Sequence, residues 1–207
     1  MEIFIDTASV DEIRAVLPWG IIDGVTTNQK IFSTEKGINF KQRVLEILSL
    51  VNGPLSVELT KTSRTDEELV DEAKEYASWS PNIVIKVPMW GDGRGLRIAH
   101  RLKELGIKTN VTCMMTTNQV MLATKVGATY ASIFFNRVKD SGGDPVKVIQ
   151  ESKRIIEKGS FPTKIIVGSI RKPEDVNEAT VAGAHIITIP YKILVQMPHH
   201  WKTEETI

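Results

Sequence analysis

The sequence predicts an α/β fold, a single (β/α)8 TIM barrel, from three observations. Short runs rich in β-branched residues alternate with longer segments of helical periodicity along the whole chain. Strict alternation of this kind is typical of a parallel sheet covered by helices. About eight strands in 207 residues fit a barrel at the small end of its size range. Because no Pro- or Ser-rich linker divides the sequence, residues 1–207 are expected to form one domain.

Each strand is predicted from a short aliphatic run of its own. The predicted strands are 3–6, 21–25, 55–59, 83–87, 107–112, 130–135, 164–169 and 185–189. An open doubly wound sheet is the rival arrangement, and it predicts a Gly-rich phosphate turn after the first strand. Asp6-Thr7-Ala8-Ser9 stands there instead, which favours the barrel.

The helices between these strands are predicted from their periodicity and their ends. Phe40, Val44 and Ile47 have the spacing of one helix face. Thr65–Glu68 and Pro173–Asp175 have the composition of helix starts. Three glycines, each shortly before a predicted strand, are expected to end helices: Gly106, Gly127 and Gly183.

The bulk composition excludes several classes of function. A formal net charge of +1 gives no electrostatic basis for binding nucleic acid or a membrane surface. Cys113 is the single cysteine, so neither an intrachain disulfide nor a cysteine metal cluster can form, and the four histidines lack zinc-ligand spacing. No apolar run approaches the roughly 20 residues that cross a bilayer. With no leader-like N-terminus, the expectation is a cytoplasmic protein.

Lys86 is the most informative residue, because it interrupts the otherwise aliphatic run Ile83–Pro88. An ammonium in a strand buried on both faces must be paired, reach water in a pocket, or lose its proton. A neutral amine attacks carbonyl groups and forms Schiff bases. A structural lysine paired with a carboxylate is the alternative, and the lysine alone leaves it open.

Polar residues recur on the strand face that carries Lys86. Side chains alternate along a strand, so residues of equal parity point the same way, as with Phe4 and Asp6, or with Val167 and Ser169. In a barrel, such positions converge on the carboxyl-terminal mouth, where active sites of this fold lie. Unpaired polar burial is costly, so this set predicts a functional pocket. Its members are Asp6, Glu58, Lys86, Asn110, Thr112, Ser132 and Ser169.

Two arginines follow the sixth and seventh predicted strands. A guanidinium group suits a phosphate dianion, and this fold often binds phosphate at its late βα loops. Either Arg137 or Arg171 taken singly could be an ordinary solvated loop residue. Together with an amine and acid/base groups, they suggest chemistry on a phosphorylated keto or aldehyde sugar.

At this point the chain resembles the small transaldolase family, whose relatives include the fructose-6-phosphate aldolases. The resemblance covers residues 3 to about 197, and its most specific blocks read DGVTTN and GIKTNVT. The matching segments are Phe4–Ala8, Asp23–Asn28, Ile85–Pro88, Gly106–Thr112 and Gly168–Arg171.

The resemblance implies transfer of a dihydroxyacetone unit, with four catalytic residues. Lys86 would form a Schiff base with the C2 carbonyl of a ketose phosphate. Asp6 would take the proton from the C4 hydroxyl as the C3–C4 bond breaks. Glu58 and Thr112 would hold the water that serves as general acid and base.

The resemblance also implies a set of substrate-binding residues. Asn28 and Asn110 would bind substrate hydroxyls, and Ser132 would bind the C1 hydroxyl. The phosphate would be bound by Arg137, Ser169 and Arg171. These residues are Asn28, Asn110, Ser132, Phe134, Arg137, Ser169 and Arg171. Asn28 is not predicted from strand parity, which would make it a turn residue after the second strand.

Two positions favour transaldolase within this family. Glu58 stands where the aldolase branch carries Gln, and Phe134 where that branch carries Tyr. A tyrosine hydroxyl could orient the water that releases the bound unit, whereas a phenylalanine cannot. The alternatives left open are an aldolase that releases dihydroxyacetone and a non-catalytic sugar-phosphate-binding barrel.

The resemblance further implies a transferase of the pentose phosphate pathway that needs no cofactor or metal, because the lysine supplies the electron sink. It implies a homo-oligomer, a pentamer or decamer, in which a C-terminal helix packs on a neighbouring subunit. Thr203-Glu204-Glu205 predicts a helix start close to the end of the sequence.

Overall fold

The structure is a computed structural model that describes residues 1–34, 39–60 and 64–207. Eight parallel strands form a closed barrel in chain order, and the last strand pairs with the first. The predicted (β/α)8 barrel is therefore confirmed. The strands are β1 (Glu2–Asp6), β2 (Gly24–Thr26), β3 (Leu55–Glu58), β4 (Ile83–Pro88), β5 (Thr109–Met114), β6 (Tyr130–Phe134), β7 (Lys164–Gly168) and β8 (Ile186–Pro190).

Helices cover the outside of the barrel. They are α1 (Val10–Val16), α2 (Gln29–Thr34), α3 (Phe40–Leu50), α4 (Asp66–Ala77), α5 (Arg94–Glu104), α6 (Thr117–Lys125), α7 (Phe135–Asp140), α8 (Pro145–Lys158), α9 (Pro173–Ala182), α10 (Tyr191–Leu194) and α11 (Trp201–Thr206). A 3-10 turn, Leu17–Trp19, extends the first of them. In the part of the chain that the structure describes, no helix has the length and apolarity to cross a membrane.

The predicted starts of α4 and α9 and the predicted glycine ends of α5 and α9 are confirmed. The side chain of Thr65 accepts from the backbone N–H of Glu68, whose carboxylate accepts from the backbone N–H of Thr65 at 2.8 Å, forming a capping box for α4. Pro173 occupies the first turn of α9. Gly106 and Gly183 have φ of 73° and 102°, a left-handed conformation that glycine adopts without steric cost at the ends of α5 and α9.

The barrel lumen is polar at the carboxyl ends of the strands and apolar toward their amino ends. Phe4, Val84, Tyr130, Ile166 and Ile186 form a separate buried cluster in its lower part. The rings of Phe4 and Tyr130 pack edge to face with centroids 6.1 Å apart. This apolar cluster, the lumen floor, fills the space beneath the polar residues at the carboxyl ends of the strands.

Several strands differ from their predicted bounds or faces, and the differences in β2 and β7 affect which residues line the lumen. β2 begins at Gly24 rather than at residue 21, because the ladder with β1 starts at the Phe4–Gly24 pair and the Asp23 carboxylate accepts from the backbone N–H of Ile3 at 2.8 Å. In β7, Val167 packs in the outer core and Gly168 lines the lumen, so the predicted shared face of Val167 and Ser169 is wrong.

The last helix also starts earlier than predicted. α11 begins at Trp201, and the imidazole Nδ1 of His200 accepts from the backbone N–H of Lys202 at 3.2 Å. Thr203 therefore lies inside the helix rather than at its N-terminal cap.

Candidate active site

A cavity of about 180 Å³ opens at the carboxyl ends of the strands. Its walls come from every strand except β3 and from segments that directly follow the strands. The lining residues are Asp6, Thr26, Asn28, Lys86, Asn110, Thr112, Ser132, Phe134, Arg137, Gly168, Ser169 and Thr188. The cavity thus brings together all of the candidate residues except Glu58 and Arg171.

Lys86 projects from β4 into this cavity and is 6% exposed. Its ammonium donates to the backbone carbonyl oxygen of Thr27 at 3.1 Å. Within residues 1–34, 39–60 and 64–207, no carboxylate oxygen lies within 4.0 Å of Lys86 Nζ. The interpretation as a structural lysine requires a paired carboxylate, so this geometry favours an amine available to a ligand.

Asp6 lies across the cavity at the end of β1. The hydroxyl of Thr26 donates to its Oδ1 at 2.7 Å, and the hydroxyl oxygens of Thr26 and Thr188 are 2.6 Å apart. Burial raises the pKa of Asp6, while the positive charge of Lys86 and the Thr26 hydrogen bond act in the opposite direction. A carboxyl group with a raised pKa exchanges protons more readily near neutral pH than an ordinary aspartate does.

Neither threonine of this chain of hydrogen bonds is among the residues predicted from the sequence. Thr26 is the last residue of β2 and fell outside the predicted strand, which ended at residue 25. Thr188 shares parity with Ile186 in β8 and could have been found by the same face argument.

A second chain of hydrogen bonds fixes the amide of Asn110. Its Nδ2 donates to Ser56 Oγ at 2.9 Å, and its Oδ1 accepts from the hydroxyl of Ser132 at 2.7 Å. All three side chains are buried. The two bonds fix the orientation of the amide, with its nitrogen toward Ser56 and its oxygen toward Ser132. They hold Asn110 beside Lys86, its pairing partner on β4.

Thr112 and Glu58 lie on different sides of Lys86. Thr112 is fully buried and lines the cavity, and its hydroxyl has no oxygen or nitrogen partner among the described residues. Glu58 pairs with Lys86 in the β3–β4 ladder, but it lines a different cavity, of about 280 Å³, with Gln29, Phe32 and Phe40. Its carboxylate accepts from the backbone N–H of Gln29 at 3.2 Å.

Asn28 serves a local turn and also lines the cavity. Its Oδ1 accepts from the backbone N–H of Ile31 at 3.0 Å, in the first turn of α2. The turn interpretation and the binding interpretation are therefore compatible, because this bond engages the oxygen end of the amide and not its nitrogen.

The two arginines have different surroundings. Arg137, on α7, lines the cavity and makes no ion pair within 4.0 Å in the described ranges. Arg171 lies outside the lining, where its two terminal nitrogens donate to the Asp140 carboxylate at 2.9 and 2.5 Å. Asp140 raises the pKa of Arg171, and this arginine lowers the pKa of Asp140.

Comparison with known proteins agrees with the resemblance found in the sequence. A family model described as "Transaldolase/Fructose-6-phosphate aldolase" matches residues 3–207. A probable transaldolase of Carboxydothermus hydrogenoformans is 46% identical over 100% of this chain and 94% of its own length. Probable transaldolases of Desulforudis audaxviator and Desulforamulus reducens are 44% and 45% identical, over 99% and 100% of this chain and 93% and 94% of their own lengths.

Proposed function

Because the chain belongs to the transaldolase/fructose-6-phosphate aldolase family, we propose that it is a transaldolase that transfers a dihydroxyacetone unit through a Schiff base on Lys86. The donor is a ketose phosphate, fructose 6-phosphate or sedoheptulose 7-phosphate, and the acceptor is an aldose phosphate. Such a transferase acts in the pentose phosphate pathway.

The observation that carries this proposal is the environment of the Lys86 amine. It is buried, bonded to a backbone carbonyl, and open to a cavity whose walls carry a carboxyl group, an amide and hydroxyls. The amine attacks the C2 carbonyl of the ketose, and the carbonyl oxygen leaves as water when the imine forms. The imine then accepts the electron pair of the C3–C4 bond.

Asp6 is the proposed base for cleavage of that bond. It removes the C4 hydroxyl proton, the C3–C4 bond breaks, and the aldose phosphate leaves while an enamine remains on Lys86. The reverse sequence joins the enamine to an acceptor aldehyde and returns the proton from Asp6. The raised pKa of Asp6 supports both directions, since the same group must accept and donate a proton.

Thr112 and Glu58 are proposed to hold the water that moves protons during imine formation and hydrolysis. In the described part of the chain no oxygen or nitrogen atom bonds to the buried Thr112 hydroxyl, which supports its part. Glu58 lines a different cavity from Lys86, so its contribution would pass through the water rather than by direct contact. Asn28, Asn110 and Ser132 are the proposed contacts to substrate hydroxyls, and the fixed amide of Asn110 supports this assignment.

The phosphate is proposed to bind on the side of the cavity formed by α7 and the end of β7. Arg137 is exposed there without a carboxylate partner in the described ranges, and Ser169 lines the same wall. Arg171 is the third proposed contact, and it must exchange its bonds to Asp140 for bonds to phosphate.

Reductive trapping tests the proposal directly. Borohydride added with fructose 6-phosphate is expected to leave a stable mass increment on a peptide containing Lys86, and addition of erythrose 4-phosphate before the reductant should diminish it. Lys86→Met should abolish both the adduct and transfer, whereas Lys108→Met, at the opposite end of the barrel, should change neither. An unmodified Lys86, or an active Lys86→Met variant, would contradict the mechanism.

The second candidate is the aldolase reaction, which releases free dihydroxyacetone. Phe134 lines the cavity where the aldolase branch carries a tyrosine, and it offers no hydroxyl to a releasing water. Little dihydroxyacetone is therefore expected when no acceptor aldehyde is present. Net release at the rate of transfer would favour the aldolase. Binding of sugar phosphate without turnover would favour a non-catalytic barrel.

A further inference from the structure

Asp175 is a fully buried carboxylate that contacts the backbone of the proposed phosphate-binding loop. Asp175, in the first turn of α9, is 0% exposed and does not line the cavity. Its Oδ2 accepts from the backbone N–H groups of Arg171 and Lys172 at 2.9 and 3.2 Å. The ammonium of Lys139, on α7, lies 3.6 Å from its Oδ1.

Asn136 connects this carboxylate to the neighbouring βα unit. Its Nδ2 donates to Asp175 Oδ2 at 2.6 Å and to the backbone carbonyl oxygen of Ser169 at 2.8 Å. Its backbone N–H also donates to that carbonyl, at 3.4 Å. Ser169 has a φ of 60°, a conformation that few residues other than glycine adopt, so the loop needs such contacts to keep it.

The charge of Asp175 is maintained despite its burial. Burial alone would raise the pKa of Asp175, but the hydrogen bonds from Arg171, Asn136 and Lys172, together with the Lys139 charge, lower it overall. The ionised form therefore persists and makes the stronger, charge-assisted kind of hydrogen bond.

These contacts add to the β6–β7 ladder and the Asp140–Arg171 ion pair in joining two segments of the proposed phosphate site. Arg137 follows Asn136 directly on α7, whereas Ser169 and Arg171 belong to the loop between β7 and α9. A phosphate bound by both segments needs a fixed distance between them. Asn136 and Asp175 provide direct bonds across this gap.

We propose that Asn136 and Asp175 are positioning residues, which set the spacing of the α7 and β7–α9 segments for a phosphate group without touching substrate. The inference rests on the proposed function, since it assigns the phosphate of the sugar substrates to this wall. Loss of this pair of residues, the clamp, should weaken recognition of phosphate and leave the chemistry at Lys86 intact.

The test compares acceptors with and without phosphate in Asn136→Ala and Asp175→Asn. In a two-step transfer, kcat/KM for the acceptor depends on the second half-reaction alone. An effect of the variants on binding of the donor phosphate therefore does not change this value. For erythrose 4-phosphate, kcat/KM should fall at least about tenfold, and for erythrose it should stay within about twofold. Inhibition by inorganic phosphate should weaken in parallel.

Thr163→Val is the matched control. The Thr163 hydroxyl is buried and donates to the backbone carbonyl of Ala128 at 2.7 Å, just before β7 at the far end of the barrel. The substitution should lower thermal stability without changing the ratio between the two acceptors. Equal losses for both acceptors in Asn136→Ala would overturn the proposal, as would an unchanged ratio in both clamp variants.

Different results would overturn the proposed function and the positioning role of Asn136 and Asp175. A wild-type protein without transfer activity or a Lys86 adduct would overturn the proposed function. An active wild type whose clamp variants keep the normal acceptor ratio would overturn only the positioning role. If Asp175→Asn does not fold, Asn136→Ala decides the matter, because it leaves the buried charge and its backbone bonds in place.

Discussion

At the scale of single residues, the cavity separates a cation from a carboxyl group without pairing them. Lys86 bonds to a backbone carbonyl, and Asp6 bonds to a threonine hydroxyl. A direct ion pair would occupy the amine and hold the carboxylate ionised, and both effects would work against the proposed Schiff-base formation and proton transfer. The threonine chain from Thr188 through Thr26 to Asp6 supports the carboxyl group without adding a charge.

Thr26→Val should shift the pH dependence of the donor reaction. The Thr26 hydrogen bond lowers the pKa of Asp6 against the raising effect of burial, so its removal should raise that pKa further. Because the proposed cleavage step needs the deprotonated carboxylate of Asp6, the acid limb of kcat/KM for fructose 6-phosphate should move to higher pH. The pH profile of kcat/KM for Thr163→Val serves as the control, because it also replaces a buried threonine by valine. In Thr26→Val, an acid limb that stays in place or moves to lower pH would contradict the role of Thr26.

At the scale of the elements, α7 carries Arg137, a proposed phosphate ligand. It also carries Asp140, whose carboxylate binds Arg171, another proposed phosphate ligand. Asp140, its last residue, holds Arg171 in a two-point ion pair outside the cavity, and both side chains are about half exposed. The pair orients the guanidinium but also competes with any phosphate.

Asp140→Asn should therefore improve binding of phosphorylated acceptors. Exposed ion pairs are weak, so KM for erythrose 4-phosphate is expected to fall by about two- to fivefold, with little change for erythrose. The difference from wild type should shrink at high salt, because screening weakens the Asp140–Arg171 pair in the wild-type protein. A raised KM would mean instead that Asp140 orients Arg171 toward the phosphate.

The elements also explain which parts of the site a sequence can predict. The face of each strand follows from alternation, so the sequence alone places Asp6, Lys86, Asn110 and Ser132 on one lumen face. Ser169 reaches the cavity for a different reason, since its positive φ redirects the chain after Gly168. The Asp140–Arg171 pair and the Asn136–Asp175 bonds join segments 31 and 39 residues apart, and no local pattern indicates them.

At the scale of the whole molecule, one lumen provides both stability and reactivity. Its floor is apolar and its mouth polar, and on β4 the change occurs between Val84 and Lys86, which lie on the same face of the strand. Side chains from the facing strands fill the floor, so the polar mouth rests on a packed layer rather than on solvent.

Val84→Ala and Val181→Ala make the same chemical change in opposite environments. Val84 is 1% exposed in the lumen floor, whereas Val181 is 86% exposed on α9. Loss of two buried methyl groups and the resulting cavity should lower the free energy of unfolding by about 2–3 kcal/mol for Val84→Ala. Val181→Ala should change it by less than about 0.5 kcal/mol. Denaturant unfolding of both variants at one protein concentration measures this difference, and equal effects would mean that the lumen floor is not a closely packed layer.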